Sequence, residues 1–534
     1  MIKNAIVVMF DSLQFNYLGC YGNDWIKTPN MDRLAREGVL FENCYTEGLP
    51  TIPARRSMHT GRFTLPEGGW RPLSMEDTII SDLCWGRPID TALIFDCPMY
   101  RQPKFGYTRG FDKVFFTHGH ELDHYYYEKD PLIHEDPMDY VSEDMLNRAA
   151  HQLGEQAVMT QLNEMTGYLK QTQYWKSPDD RYCAKTFRKA IEYLEQADRN
   201  KQFYLWVDSF DPHEPWNPPS VYMKFPCPYD PEYTGPDNFI PQGGLVNGLY
   251  TEEEMNHVRM LYAELVTLCD TYFGEFLDAV RRLGLEENTL LMMVSDHGEP
   301  MGNAEHGHGI MRKCRPWPYE ELAHTPMIIR FPGCPAGKRV KSFIQSVDVA
   351  PTVCDWLGIG VHPAMQGKSL LPLALGEVDK IHDFAIAGYY GAGWALFTDD
   401  WSYVHWPLND KKTASWYEDQ GKHINKTMAD IGRGSADVAG GAVARKIAFQ
   451  DAVQAAEAAT KEDPLARHKA NVTLDGEAQW TCTPSATYDT PPNDELYDRK
   501  ADPFQLNNVI SQYPQQALRM LETLKDYIEE LKNS

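Results

Sequence analysis

The sequence predicts an α/β protein: a doubly wound, mostly parallel sheet with helices on both faces, followed by a smaller α+β subdomain. Two observations carry the prediction. Three apolar runs, residues 4–10, 202–207 and 289–295, read as strands buried on both faces, and each stops at an aspartate: Asp11, Asp208 and Asp296. Helical patterns lie between them, the clearest opening at a capping box, Thr251 with Glu254. Its apolar stripe runs Val258, Leu261, Leu265, Leu268, Tyr272, Phe276 and Val280. Strands alternating with helices give a parallel sheet, and ligands of such sheets bind beyond the carboxyl ends of the strands. The three aspartates are therefore expected to converge on one crevice.

Taken in order, residues 1–380 read as the large catalytic domain, with an insertion at about 116–180 that carries Tyr125-Tyr126-Tyr127 and is expected to cap the site. From about residue 381 to 534 the pattern changes to a C-terminal α+β subdomain. Residues 384–405 alternate, with breaks at Gly388, Gly391, Gly393 and Asp399-Asp400, and predict an antiparallel hairpin. An Ala/Gly-rich insertion follows at about 409–484, helical over 444–460 and suited to a surface or oligomer contact. An amphipathic helix over 514–531 closes the chain.

Composition narrows the function. With 534 residues and 43% hydrophobic content the chain can bury a large core. A formal charge of −25 argues against nucleic acid, whose phosphates need basic patches, and favours divalent cations instead. No stretch approaches the roughly 20 apolar residues of a membrane span, and Met1 to Asn4 leads straight into a strand, so no membrane contact and a cytoplasmic location are the expectations. The eleven cysteines form no CxxC pair and read as reduced, mostly buried thiols.

The chemistry concentrates in Ser295-Asp296-His297-Gly298-Glu299 and in Thr51-Ile52-Pro53-Ala54-Arg55. A carboxylate and an imidazole at a strand end, with Asp11 and the Thr51 oxygen, make a donor set for a divalent cation. Residues 51–61 resemble the sulfatase signature Cys/Ser-x-Pro-x-Arg with a following Thr-Gly turn. Further segments agree with that family in order: Phe10-Asp11-Ser12, Leu18-Gly19-Cys20-Tyr21-Gly22, Arg109-Gly110-Phe111-Asp112, Asp211-Pro212-His213-Glu214-Pro215, Asp348-Val349-Ala350-Pro351-Thr352 and Glu495-Leu496-Tyr497-Asp498. Over nearly its whole length the chain resembles the sulfatase branch of the alkaline phosphatase superfamily.

The departures shape the expected activity. Thr51 stands where the family carries the Cys or Ser that is oxidised to formylglycine, and threonine cannot give that aldehyde. Ser12 stands where a second aspartate is frequent, and the segment Thr91 to Tyr100 carries Asp96 in place of the lysine and histidine that clamp sulfate. The resemblance to phosphopentomutase-like members implies a second cation to compensate. The first site is then Asp11, Thr51, Asp296 and His297, and the second Asp208, His213 and His308, with Asp211, His306 and His324 as alternative ligands. Mn²⁺ or Zn²⁺ suits two such sites, Ca²⁺ or Mg²⁺ a single one.

Thr51 is either the nucleophile, with its hydroxyl acidified at a cation, or only a ligand while an activated water attacks. Arg55, one turn on, is placed to meet the transferred group, and Lys313 resembles the family lysine that contacts the substrate oxyanion. Arg56 and His59 are expected to face the surroundings of their helix. Tyr100, Trp216 and Trp317 are candidate substrate walls. The expected activity is hydrolysis of a small-molecule phosphate or sulfate ester without formylglycine, leaning to phosphodiesters or phosphonate monoesters. A dimetal sulfatase and a phospho- or sulfo-group transferase are the alternatives, and a homo-oligomer is the partner expectation that goes with the 409–484 insertion.

Overall fold

The computed structural model describes residues 2–101, 105–120, 123, 134–304, 307–314, 316–409 and 491–533. Fifteen strands fall in chain order among these residues. They are β1 (Asn4–Phe10), β2 (Val39–Tyr45), β3 (Ile89–Phe95), β4 (Lys113–Phe116), β5 (Gln202–Ser209), β6 (Gly244–Leu245), β7 (Thr289–Ser295), β8 (Met301–Gly302), β9 (Ile310–Met311), β10 (Met327–Arg330), β11 (Lys338–Gln345), β12 (Ala385–Tyr389), β13 (Gly393–Phe397), β14 (Trp401–His405) and β15 (Glu495–Asp498).

The large sheet has eight strands in the order β11-β2-β10-β7-β1-β5-β3-β4. Only β10 runs against its neighbours β7 and β2; every other pairing is parallel. The α/β expectation is met. All seven residues of β1 and of β7 are buried, because helices cover both faces. One face packs Ile6, Val8, Phe10, Ile94 and Val207 against Phe187 and Phe273 from the helices Tyr182–Gln196 and Glu252–Arg282. The other packs Val7, Met9, Phe95 and Trp206 against Ile52 and Met58 from the helix Thr51–Thr60, and against Val353 from Val349–Leu357. β7, β1 and β5 are adjacent, and this adjacency brings their three terminal aspartates together.

The helix Glu252–Arg282 starts as its capping box requires: Thr251 Oγ1 accepts from Glu254 N at 3.2 Å and the Glu254 carboxylate accepts from Thr251 N at 2.8 Å. Every residue of its predicted apolar stripe is buried. The described part of the 116–180 insertion is largely a pair of helices, Glu143–Leu153 and Glu155–Thr172, packed on each other; from the first, Arg148 reaches Glu254 at the start of the long helix and the Leu249 carbonyl. Tyr125-Tyr126-Tyr127, the 444–460 helix, and all but the first residue of the 409–484 insertion lie outside the described residues.

The C-terminal sheet corrects the single-hairpin expectation for residues 384–405. Two breaks, at Tyr390–Ala392 and Thr398–Asp400, make a three-stranded meander, β12-β13-β14, and β15 joins it from across the insertion. The helix Pro514–Asn533 covers one face through Met520, Leu524 and Ile528. This sheet grips the segment that leads into the site. Gly388 N donates to the Glu47 carbonyl at 2.8 Å, and the Gly388 carbonyl accepts from Leu49 N at 2.8 Å, two residues before Thr51.

A Cβ at Gly388 would sit 2.3 Å from the Gly393 carbonyl oxygen, backbone on the neighbouring strand. Gly388→Ala is therefore expected to lower stability by about 1–3 kcal/mol through overpacking. Chemical denaturation measures this, and turnover should fall with it because the entry to Thr51 shifts; an unchanged midpoint would mean that β12 and β13 give way without cost, and unchanged turnover in a destabilised variant that the two sheets are not coupled here.

Candidate active site and metal centre

Thr51 is the first residue of a ten-residue helix, Thr51–Thr60, which ends on Gly61 in the left-handed conformation (φ 68°). Pro53 is tolerated in the first turn because its missing N–H would have had no helical partner. Arg55, four residues on, lies on the same face as Thr51. Both side chains are fully buried beneath the carboxyl edge of the sheet.

There the Arg55 guanidinium meets all three strand-end carboxylates. Its Nη1 lies 2.9 Å from Asp11 Oδ2 and 2.5 Å from Asp296 Oδ2, and its Nη2 and Nε reach Asp208 Oδ1 and Oδ2 at 2.8 and 3.1 Å. The predicted convergence is present, but the expectation that Arg55 faces the substrate is corrected. Three buried like charges attract the nearest cation, and its fork is spent on them.

Asp11, Asp296 and His297 form a group whose donor atoms all lie within 4.8 Å of one another. Among the described residues this is the group suited to an ion. His297 Nδ1 donates to the Gly298 carbonyl at 2.7 Å, which fixes the proton there and leaves Nε2 with its lone pair. Nε2 lies 3.8 Å from Asp11 Oδ1 and 3.6 Å from Asp296 Oδ2, and Thr51 Oγ1 donates to it at 3.3 Å. Burial pushes His297 down to about 4, so the imidazole is neutral near pH 7.

The residues fit a divalent cation. Asp11 Oδ2 has no hydrogen bond, lying near Arg55 but out of line with its N–H. Burial and the neighbouring Asp11 hold the Asp296 carboxyl well above its usual range, and a divalent cation between the two carboxylates would offset their repulsion. Burial also works to raise Asp11, but Arg55, His213, His297 and Lys313 outweigh it and hold Asp11 low. Two carboxylates, one imidazole nitrogen and a hydroxyl are donors for Mg²⁺, Mn²⁺ or Zn²⁺.

The second predicted set is not assembled. Asp208 is held by Arg55 through both oxygens. His213 donates from Nδ1 to the Glu214 carbonyl at 2.5 Å and faces Lys313 Nζ with Nε2 at 2.5 Å. His308 bonds Glu321 at 2.9 Å and the Gln505 carbonyl at 3.0 Å, and stacks on Tyr319 at 4.1 Å. Of the alternatives, Asp211 pairs with Arg181 and with His120 at 3.1 Å, and His324 bonds Glu320 and the Glu42 carbonyl. His306 lies outside the described residues.

The candidate substrate walls are also corrected. Tyr100 is fully buried, bonded to His59 Nε2 at 2.9 Å and stacked on Tyr107. Trp216 is fully buried and donates to the Pro212 carbonyl at 3.0 Å. Trp317 packs in a cluster with Ile310, Tyr319 and Phe343. Tyr100 and Trp216 each bond a residue of a recognised segment, His59 and Pro212, and so brace it. Arg56 and His59 do face the helix surroundings, Arg56 on Asp77 at 2.6 Å and His59 stacked on Trp206 at 4.0 Å.

Lys313 retains 15% side-chain exposure and sits between His213 and Glu214, close enough for its charge to act on Asp11 and His297. Three further residues act at the site. Ser12 adopts a left-handed backbone (φ 62°), gives its N–H to Asp296 at 3.0 Å and its hydroxyl to Asp11 at 2.8 Å, and so ties the two carboxylates together. Glu214 carries Lys313 and Arg312. Glu299 is fully buried, and burial with Glu214 nearby pushes it up to about 8 against the pull of Lys313, Arg312 and Ser12. Ser12 stood out in sequence only as a missing aspartate; Glu214 and Glu299 sat inside the recognised segments without a signal of their own.

Fold and site together define an α/β protein with a candidate cation site at the carboxyl edge of its large sheet, and comparison with known proteins makes it a hydrolase acting on ester bonds. A family model described as Sulfatase matches residues 3–359, and the chain belongs to that family, whose members use a divalent metal ion. An arylsulfatase of Clostridium perfringens is 26% identical over 409 residues, covering 70% of this chain and 78% of its own length. An N-acetylglucosamine-6-O-sulfatase of Bacteroides thetaiotaomicron is 26% identical over 459 residues, covering 72% and 73%. Among solved structures, a phosphonate monoester hydrolase of Agrobacterium radiobacter superposes with a TM-score of 0.63 over 99% of this chain and 96% of that one, at 18% identity, a likeness of fold.

The raised carboxyls give a pH test. A carboxyl held up in the folded state contributes stability below its ordinary pKa that is lost as pH rises through the folded value, for Glu299 from 4.5 to about 8. Thermal melts in EDTA should show Tm falling through this window. Added Mn²⁺ should raise Tm most at the alkaline end, for a gain in stability of about 2.7 kcal/mol at a hundredfold excess over Kd, and Asp296→Asn should abolish that gain; a cation effect that survives Asp296→Asn would place the ion elsewhere.

Proposed function

We propose that this chain hydrolyses a phosphodiester or phosphonate monoester at one divalent cation, with the Thr51 hydroxyl as nucleophile. The observation that carries the reading is the position of Thr51 Oγ1, 3.3 Å from His297 Nε2 at a helix N-terminus and beside Asp11 and Asp296, so that a cation taking the Nε2 lone pair would have the hydroxyl oxygen as a neighbouring donor. A divalent cation bound among Asp11, Asp296 and His297 would supply the positive charge that lowers the hydroxyl pKa and offsets the charge of the transferred group. Thr51 Oγ forms the bond to phosphorus as the bond to the leaving oxygen breaks, the hydroxyl proton passing in net to the departing alcohol; water then attacks phosphorus, releasing the phosphorus acid and returning a proton to Thr51 Oγ.

The remaining residues hold this arrangement. Ser12 and Arg55 fix the two carboxylates, Gly298 fixes the imidazole ring, and the first-turn N–H groups favour anionic oxygen at Thr51. Lys313, the partly exposed cation of the cluster, meets an oxygen of the transferred group. Phosphorus is favoured because formylglycine chemistry, which ejects sulfate from an aldehyde hydrate, is closed to threonine, whereas a threonyl phosphoester needs only water. Asp96, fully buried where the family clamp would stand, adds no cation for a sulfate. Sulfate esters form the second reading, favoured by the two sulfatases that are 26% identical to this chain.

The test is turnover of p-nitrophenyl phenylphosphonate, bis(p-nitrophenyl) phosphate and p-nitrophenyl sulfate with Mg²⁺, Ca²⁺, Mn²⁺ or Zn²⁺ added in turn. The phosphorus substrates should lead, and Thr51→Ala should reduce kcat by roughly 10³-fold or more while Thr51→Ser retains most of it. Near-normal turnover by Thr51→Ala would remove the threonine from the covalent step, and sulfate turnover above both phosphorus esters would favour the second reading.

A further inference from the structure

We infer that Glu214 is a positioning residue: from the loop after β5 it fixes the Lys313 ammonium at the reacting pocket, so that the cation meets the transferred group already oriented. The inference rests on the proposed contact between Lys313 and an oxygen of that group. Glu214 is buried, its side chain 3% exposed, and both of its oxygens accept from Lys313 Nζ, at 3.0 and 3.1 Å. His213 Nε2 lies 2.5 Å from the same Nζ, and because the two oxygens of one carboxylate can share a single N–H, these partners fix the ammonium with one of its three donors left for the transferred group. The His213 nitrogen is free to accept because the Glu214 carbonyl holds the ring proton on Nδ1 at 2.5 Å. Main chain and side chain of one residue thus set both partners of the lysine.

The backbone beneath Lys313 depends on the same residue. Arg312 has φ 64°, a left-handed conformation that a non-glycine residue adopts only when its surroundings hold it there. Its N–H donates to the Pro300 carbonyl at 2.9 Å, and its Nε donates to Glu214 Oε1 at 2.7 Å with Nη2 also in contact. Lys313 follows directly from this turn, just past the end of β9. A lysine has a four-carbon stem and would otherwise lose much rotamer freedom on meeting an anion. Glu214 has removed that freedom before substrate arrives.

Position and charge predict opposite signs. Glu214→Gln deletes a negative charge close to where an anion binds, so electrostatics alone would tighten anion binding; loss of orientation would weaken it. Glu214→Asp keeps the charge and draws the carboxylate back by one methylene. With the Mn²⁺-loaded full chain, both variants should lose on the order of 10- to 100-fold in kcat/KM on p-nitrophenyl phenylphosphonate. Both should also bind inorganic phosphate more weakly by calorimetry, and that binding decides alone if the phosphonate is not turned over. In a Lys313→Met background Glu214→Gln should add little further loss. Tighter phosphate binding by Glu214→Gln, or wild-type behaviour of a folded Glu214→Asp while Lys313→Met is impaired, overturns the positioning role. Wild-type turnover and phosphate affinity in Lys313→Met overturns the proposed lysine contact beneath it, and the inference with it.

Discussion

The arrangement depends on one guanidinium between three carboxylates. β7, β1 and β5 lie side by side, and each delivers an aspartate to the same edge of the sheet, where no side chain of the set reaches water. Arg55 resolves the repulsion by contacting all three within 3.1 Å. Removing one partner of a buried ionic group typically costs about 3–5 kcal/mol, because the remaining charges are left unpaired. Arg55 also springs from the helix that begins with Thr51. The position of the hydroxyl and the position of the acids are therefore fixed by the same side chain.

This constraint divides the acids into two kinds. Asp208 gives both oxygens to Arg55, while Asp11 and Asp296 share only one nitrogen of it and keep donor capacity toward His297 and Thr51. The result is a pocket that fits one divalent ion, with the hydroxyl on its rim. Around it the protein places Lys313 and Arg312 on Glu214, and buries Glu299 nearby. The C-terminal sheet takes part at a distance, since the Gly388 bridge holds the two residues on either side of Gly48 just before the Thr51 helix.

The strands and the convergence of Asp11, Asp208 and Asp296 were legible in sequence because a fully buried strand writes itself as an unbroken apolar run. The long helix was legible through Thr251 and Glu254, whose reciprocal bonds depend only on local spacing. Arg55 was legible as a residue on the Thr51 face, but not in its partner, since i and i+4 fix direction and say nothing of which charges arrive from other strands. The second cation set failed for the same reason. His308 is bound by the carbonyl of Gln505, 197 positions away, and no spacing near His308 announces that. Tyr100 and Trp216 show that an aromatic beside a motif is more often what holds the motif than what meets the ligand.

The central claim is that Arg55 withholds Asp208 and so leaves a single cation site at Asp11, Asp296 and His297. Counting bound metal tests it most directly, by elemental analysis of the full chain after saturation with Mn²⁺ or Zn²⁺ and removal of free ion. One ion per chain, lost in Asp296→Asn and retained in His308→Ala, is the result the structure predicts. Two ions per chain, one of them lost in His308→Ala, would contradict it.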